Sequence, residues 1–324
     1  MDAIPPSVRG DLEVPGRPHH DADDVLLELG PWTPRTPARH LAPSLALLTP
    51  RPFGVRFELS GRRAGEWSPW VGTATLGNAE FAPIADVADE MRSDIDEILV
   101  APGVESIRLR VRVGGKGRAA MLESPWLVTL SAWDGTLEAP ASRAAAMSLA
   151  VPARSQLVEP EPVRLRICSP TSVGMAMEFH GRTVPTLQLA DEVYHAPTDR
   201  YGIWPAAVRV AGVHGLPGYV LRFPGWDAAT WCLTRGLPII ASIRYEAGDL
   251  TNAAISETTG HLVVITGVDG DTVLVNDPAA PPNSVSRRYN RTEFTRAWLE
   301  HSGIGYVFFR NSRGASAAPL DASP

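Results

Sequence analysis

Cys168 is one of only two cysteines among 324 residues, and it stands where a helix should begin. The run "RICSPTSVGMAMEFHG" turns apolar and helical directly after it. A thiol at a helix start lies among unpaired backbone N–H groups at the positive end of the helix dipole. Both favour the thiolate, which is the nucleophilic form. An isolated cysteine in an apolar segment is otherwise a small core residue, and that reading fits Cys232 in "WDAATWCLTRG". A nucleophilic Cys168 also needs a base and a group to orient that base. The stretch "GHLVVITGVDGDTVLVND" contains both, as a hairpin turning at 269–271. His261 precedes its first strand, Asp277 follows its second, and folding back sets the two nearly opposite each other. The carboxylate can then fix the imidazole tautomer and leave the other ring nitrogen for a thiol. Gln156, twelve residues before Cys168, adds an amide that could hold an oxyanion together with the Cys168 backbone N–H.

Competing chemistries fit less well. "DGDTVLVND" has the look of a calcium loop but lacks a glycine at its sixth position and a glutamate at its twelfth. The cysteines and histidines have no close paired spacing, so no metal site is expected and no cofactor is implied. His180, His195, His214 and His301 fall near helix ends, where a cation suits the dipole.

These groups need elements to carry them. Residues 1–50, rich in proline and polar residues, read as a mostly irregular arm with an edge strand near "HLAPSLALL". From Phe53 to about Asp134 the pattern alternates every two residues. "ESIRLRVRVGG" sets Ile107, Leu109, Val111 and Val113 opposite arginines, and Gly114–Gly115 suit a hairpin turn. Short strands at such intervals predict an N-terminal β-sandwich. Trp67, Trp70, Trp126 and Trp133 would line a sugar-binding face or, as aromatics in sandwiches usually do, fill packing positions. "TLEAPASRAAAMSLAVPARSQ" is a linker. Beyond it come helices and then an antiparallel sheet, an α+β order. The expected domains are 1–150 for the arm, sandwich and linker, 151–312 for the α+β domain, and 313–324 for a disordered tail.

A net charge of −6 argues against a nucleic-acid partner. No run of about 20 apolar residues spans a membrane. The N-terminus lacks the basic start and apolar core of a signal peptide, so the chain as written reads as cytoplasmic. Composition says nothing of oligomeric state.

The segments "VPARSQ…CSPTSVGMAM", "GHLVVITGVDGD" and "VNDPAA" resemble the C-thirty-nine-like branch of papain-like cysteine peptidases, the superfamily of double-glycine leader peptidases. "YGIWPAAVRVAGVHGLPGYV" and "GLPIIASIRYEAGDL" are similar to a bacterial subgroup of that branch, often exported and often preceded by a β-rich domain. The resemblance covers roughly 150–312. It implies a papain-like peptidase domain with Cys168 as nucleophile, His261 as general base and acid, Asp277 as orienting group and Gln156 as oxyanion donor. The implied substrate is a peptide or protein. Ser169 stands where leader peptidases usually have glycine, and the interval from Gln156 to Cys168 is longer than theirs. Ser169, Tyr201, Trp204, Thr259 and Gly260 are candidate substrate-binding residues, and "EAGDLTNAAISETTG" is a candidate mobile lip. The expected reaction is hydrolysis of a peptide or isopeptide bond through a thioester. Acyl transfer with the same four residues is one alternative, and a non-catalytic glycan- or peptide-binding protein is the other.

Overall fold

The structure is a computed structural model that describes residues 3–10, 17–34, 37–135 and 146–310. Its first half contains β1 (His19–Asp21), β2 (Asp24–Trp32), β3 (His40–Leu47) and β4 (Gly54–Arg63). Short strands β5 (Glu66–Trp67), β6 (Val71–Gly72) and β7 (Leu76–Gly77) follow, then the hairpin β8 (Met91–Asp94) and β9 (Glu97–Val100). β10 (Ser106–Gly114), α1 (Ala120–Glu123) and β11 (Trp126–Trp133) complete it. One sheet runs β1-β2-β10-β4-β5 with β6 and β7 also on β4, and a second runs β11-β3-β9-β8.

Half of the described residues among 1–50 therefore lie in strands rather than in an irregular arm. β2 lies inside the first sheet and β3 inside the second. In β3, Leu41, Ala42, Ser44, Leu45, Ala46 and Leu47 are all fully buried. The strand expected near "HLAPSLALL" is thus β3, but it lies between β11 and β9 rather than at an edge. The glycines at 114–117 do not make a hairpin either, because β10 and β11 belong to different sheets. They let the crossing chain approach the segment leading into β4 closely: a Cβ on Gly117 would meet the Arg51 carbonyl at 2.6 Å. The four tryptophans share no single face. Trp67 and Trp70 stack with Arg108 at 4.5 Å each on the first sheet, while Trp126 and Trp133 bound β11 in the second.

The second half starts with β12 (Met147–Ser148), α2 (Cys168–Phe179), α3 (Thr186–Val193) and α4 (Trp204–Val213). β13 (Gly218–Arg222), α5 (Trp226–Thr234), β14 (Ile239–Tyr245), β15 (Thr258–Asp269) and β16 (Thr272–Asn276) come next. β17 (Ser286–Asn290), α6 (Arg291–Ala297) and β18 (Ile304–Phe308) close the fold. Its antiparallel sheet runs β13-β18-β14-β15-β16-β17, with β12 on β15. Three of its helices precede most of the sheet and two lie between its strands, so the chain is of mixed α and β structure. Residues 136–145 of the expected linker and the expected tail 313–324 lie outside the described residues.

The halves share a core. One apolar cluster joins Leu45 and Val111 to Val173, Val208 and Tyr306. The outer edge of β13 is closed by hydroxyls from the first half: Val220 N–H donates to Ser44 Oγ at 3.1 Å and Arg222 N–H to Ser131 Oγ at 2.8 Å. An edge strand whose N–H groups are satisfied this way offers no template for further pairing. A second cluster, holding Cys232, Trp226, Phe294 and Trp298, fills the sheet's other side.

Candidate active site

Cys168 is the first residue of α2, whose N-cap, Ile167, has no side-chain cap. The helix is buried over Ser169–Met177, and Ser172 Oγ donates to the Leu262 carbonyl at 3.0 Å. That bond ties the helix to β15 one residue from His261.

β15 and β16 join through a two-residue turn, Gly270–Asp271, with Asp269 paired to Thr272. The register then shifts between Ile265 and Gly267, so that Val264 pairs with Asn276. This bulge decides the site. Side chains alternate faces along a strand, and an unbroken ladder from the turn would place His261 and Asp277 on opposite faces. With one extra residue in β15, both fall on the same face, and His261 Nε2 meets Asp277 Oδ1 at 2.8 Å. Gly267, beside the bulge, lets β12 lie close, since a Cβ there would meet the Met147 carbonyl at 2.2 Å. The two residues are not directly opposite, as spacing alone suggested, but are joined diagonally.

Asp277 is fully buried and held on every side. Ala279 N–H donates to Oδ1 at 2.9 Å, and Tyr289 Oη donates to Oδ2 at 2.7 Å. Sequence reasoning missed Tyr289, although its place in the period-two run "SVSRRYN" marks a strand residue facing inward. Gln156 is 3% exposed, and its N–H donates to the Pro278 carbonyl at 2.9 Å, next to Asp277. Its side-chain oxygen is buried without a partner among the described residues.

The electrostatics follow from this packing. Burial pushes the Cys168 thiol up, but the His261 hydrogen bond and charge outweigh it, and the net shift is downward. Burial pushes His261 down, and the Asp277 charge and hydrogen bond, with Cys168, reverse this and raise it to about 10. Burial likewise pushes Asp277 up, while His261, Tyr289 and the Ala279 N–H bring it below its ordinary value. Cys232 has no histidine beside it, only Tyr219 Oη at 3.9 Å and the charge of Arg235. Burial raises it to about 12, which is the state of an inert core thiol.

A cavity of about 520 Å³ opens over Cys168. Of the candidate binding residues, Tyr201, Trp204, Thr259 and Gly260 line it. Ser169 does not: it is 1% exposed and turned toward Tyr306, behind the wall. The expected mobile lip is anchored instead. Thr251 N–H and Oγ1 donate to Glu293 at 2.8 and 3.0 Å, and Tyr245 Oη donates to the Ile255 carbonyl at 3.0 Å. Only its last residues reach the cavity. The opposite wall comes from the first half of the chain, through His40, Asp96, Glu97 and Trp133. His301 also lines the cavity, whereas His214 bonds Glu192 at 2.7 Å and His195 bonds Thr198 at 2.7 Å. His180 ends α2, and burial lowers it to about 4.

Helix, hairpin and thiol in this order are the motifs on which the C-thirty-nine-like resemblance stands. Residues 148–306 match the Peptidase C39-like family. The second half of the chain is thus similar to a C39-like peptidase family. The chain is similar to a protein described as a C39-like peptidase from Bacillus anthracis, at 20% identity over 52% of this chain and 99% of that one, TM-score 0.40. It is also similar to a double-glycine motif protease from an AMS/PCAT transporter, solved with its leader peptide: 18% identity, 52% and 98% covered, TM-score 0.35. The peptidase domain of Streptococcus ComA, a bifunctional ABC transporter, matches at 15% identity over 45% and 93%, TM-score 0.34. No curated protein matches the chain. Among the described residues no helix is long and apolar enough to cross a membrane.

Proposed function

We propose that the protein is a thiol hydrolase that cleaves a peptide or isopeptide bond. The observation that carries this reading is the buried His261–Asp277 pair acting on a Cys168 thiol of lowered pKa beneath an open cavity. In the ground state Cys168 is a thiolate and His261 an imidazolium, oriented through Nε2 by Asp277. The thiolate attacks the substrate carbonyl carbon, and the oxyanion is held by the Cys168 N–H and the Gln156 amide. Gln156 is buried and tied by its backbone N–H to the Pro278 carbonyl beside Asp277, and a fixed residue next to the His261–Asp277 pair supports that role. Collapse breaks the C–N bond, and the departing amine takes its proton from His261 Nδ1. Water then attacks the thioester, His261 accepts the water's proton, and the acid leaves as the thiol is restored. The cavity is open to solvent, which favours water over an amine as the second acceptor. The first half of the chain, read as a β-sandwich over about 1–150, then serves a peptidase domain over 151–312.

The test is labelling with a peptide carrying a thiol-reactive electrophile, followed by cleavage profiling over a peptide mixture. Cys168 is expected to react at least about a hundredfold faster than Cys232. His261→Ala should abolish that advantage, and Cys168→Ala should abolish cleavage. Equal labelling of the two cysteines, or labelling indifferent to His261→Ala, would sink the enzyme reading in favour of a binding protein.

A further inference from the structure

α4 belongs to the second half of the chain, but the first half sets its place. Near its far end Gly212 approaches β3 so closely that a Cβ would not fit, and in mid-helix Arg209 Nη1 donates to the Phe53 carbonyl at 3.3 Å. At its start Asp96 Oδ2 accepts from the Trp204 N–H at 3.0 Å. The first turn of a helix has N–H groups that the helix itself cannot satisfy, and they favour a carboxylate. The residue just before a helix usually supplies that acceptor, but Ile203 has none in its side chain. Asp96, 108 residues earlier in the chain, takes its place.

The β8–β9 hairpin presents Asp96 at its turn, where Ile95 has φ +60°. A β-branched residue tolerates that backbone poorly, so such a turn is held by its surroundings. The cavity wall that includes Trp204 is pinned at its other end as well. Arg166 Nη2 donates to the Asp199 carbonyl at 2.6 Å and lies 2.7 Å from Asp199 Oδ1, with its guanidinium 5.3 Å from the centre of the Tyr201 ring. Arg166 stands two residues before Cys168. Segment 199–204 is therefore suspended between the chain that carries the thiol and a turn of the first half. Tyr201 and Trp204, within that segment, line the cavity with Cys168.

We propose that Asp96 is a positioning residue of the hydrolase: capping α4 from the first half, it holds Trp204 where substrate lies over Cys168. The inference rests on the hydrolase reading and gives the first half a part in it. Trp204 touches the substrate, and Asp96 acts through Trp204. A wall that holds the substrate equally before and during reaction governs affinity rather than the chemical step.

The full-length protein tests this with two reagents for Cys168: a peptide carrying a thiol-reactive electrophile, and iodoacetamide, which offers the wall no peptide to hold. Asp96→Ala and Asp96→Leu each remove the acceptor, the second with side-chain volume retained. In both, the peptide concentration that half-saturates labelling is expected to rise at least about tenfold, while the limiting rate and the iodoacetamide rate stay within about twofold. Asp96→Asn keeps an oxygen for the Trp204 N–H and should stay within about threefold of the wild type. Trp204→Ala should show the same loss, and Asp96→Ala added to it should cost no more than about twofold further. Unchanged half-saturation in Asp96→Ala and Asp96→Leu, equal loss with both reagents, or losses that multiply in the double variant overturns the positioning role. So does an Asp96→Asn variant as impaired as Asp96→Ala. Buried Cys232 reports folding, and its exposure in both Asp96→Ala and Asp96→Leu would make Asp96 a structural cap only, which also overturns the role. A peptide that labels wild-type Cys168 no faster than Cys232 overturns the hydrolase reading, and the positioning role with it.

Discussion

His261 sits between two groups that both favour its protonated form, and burial opposes them. Its pKa is raised to about 10, so the stabilisation it contributes is fully present below 6.5 and is lost as pH rises through about 10. Asp277 has the opposite sign: its pKa is lowered, so its contribution is present above 3.8 and is lost as pH falls through the depressed value. On the proposed mechanism the thiolate–imidazolium pair is expected between the lowered Cys168 titration and about pH 10. We expect kcat/KM to rise with pH on a limb below 9.0, the ordinary thiol value, and to fall near pH 10, the two limbs belonging to the coupled pair. Asp277→Asn removes the largest influence raising His261, so the alkaline limb should move to lower pH, with a rate loss on the order of 10²–10⁴-fold. An alkaline limb that stays in place in Asp277→Asn would contradict this assignment.

At the scale of elements, what matters is how closely backbones approach. α4 carries Trp204 at its start, beside the cavity, and packs on β3 through Gly212, where a Cβ would meet the Leu47 carbonyl at 2.8 Å and its N at 3.0 Å. Those atoms are backbone and have nowhere to move. Gly212→Ala should cost about 1–3 kcal/mol in urea unfolding, since overpacking a close-packed joint forces elements apart. An unchanged midpoint would mean that the helix shifts freely on β3. The bulge in β15 belongs to this scale too. A single extra residue determines on which face His261 lies, and no side-chain contact could compensate for its loss.

At the scale of the molecule, the continuous core and the hydroxyl-capped edge of β13 join the two halves energetically. Thermal unfolding followed by tryptophan fluorescence and by far-ultraviolet circular dichroism should give one coincident transition. Ser44→Ala leaves the Val220 N–H buried without its acceptor, and should lower that same transition by an amount equivalent to about 1–3 kcal/mol. Two separable transitions, with Ser44→Ala silent, would show that the sheets of the first half stand alone.

Cys168, His261 and Asp277 were legible because each is marked locally, by a helix start or by the two ends of one hairpin. Their order along the chain carried the resemblance to the family. Ser169 was misjudged because adjacency to the thiol says nothing about which side of a helix a residue faces. β2 was hidden because burial on both faces removes the periodic signal, whereas β3 was legible as a strand but not as an inner one. Tyr289, the bulge at 265–267 and the wall of His40, Asp96, Glu97 and Trp133 depend on contacts between segments far apart in the chain. The sequence by itself determined which groups could react, since residue type and local spacing set thiol, imidazole and carboxylate chemistry. Only the tertiary structure decided that they share a face, and that the first half of the chain faces the thiol, because register and packing are properties of the whole fold.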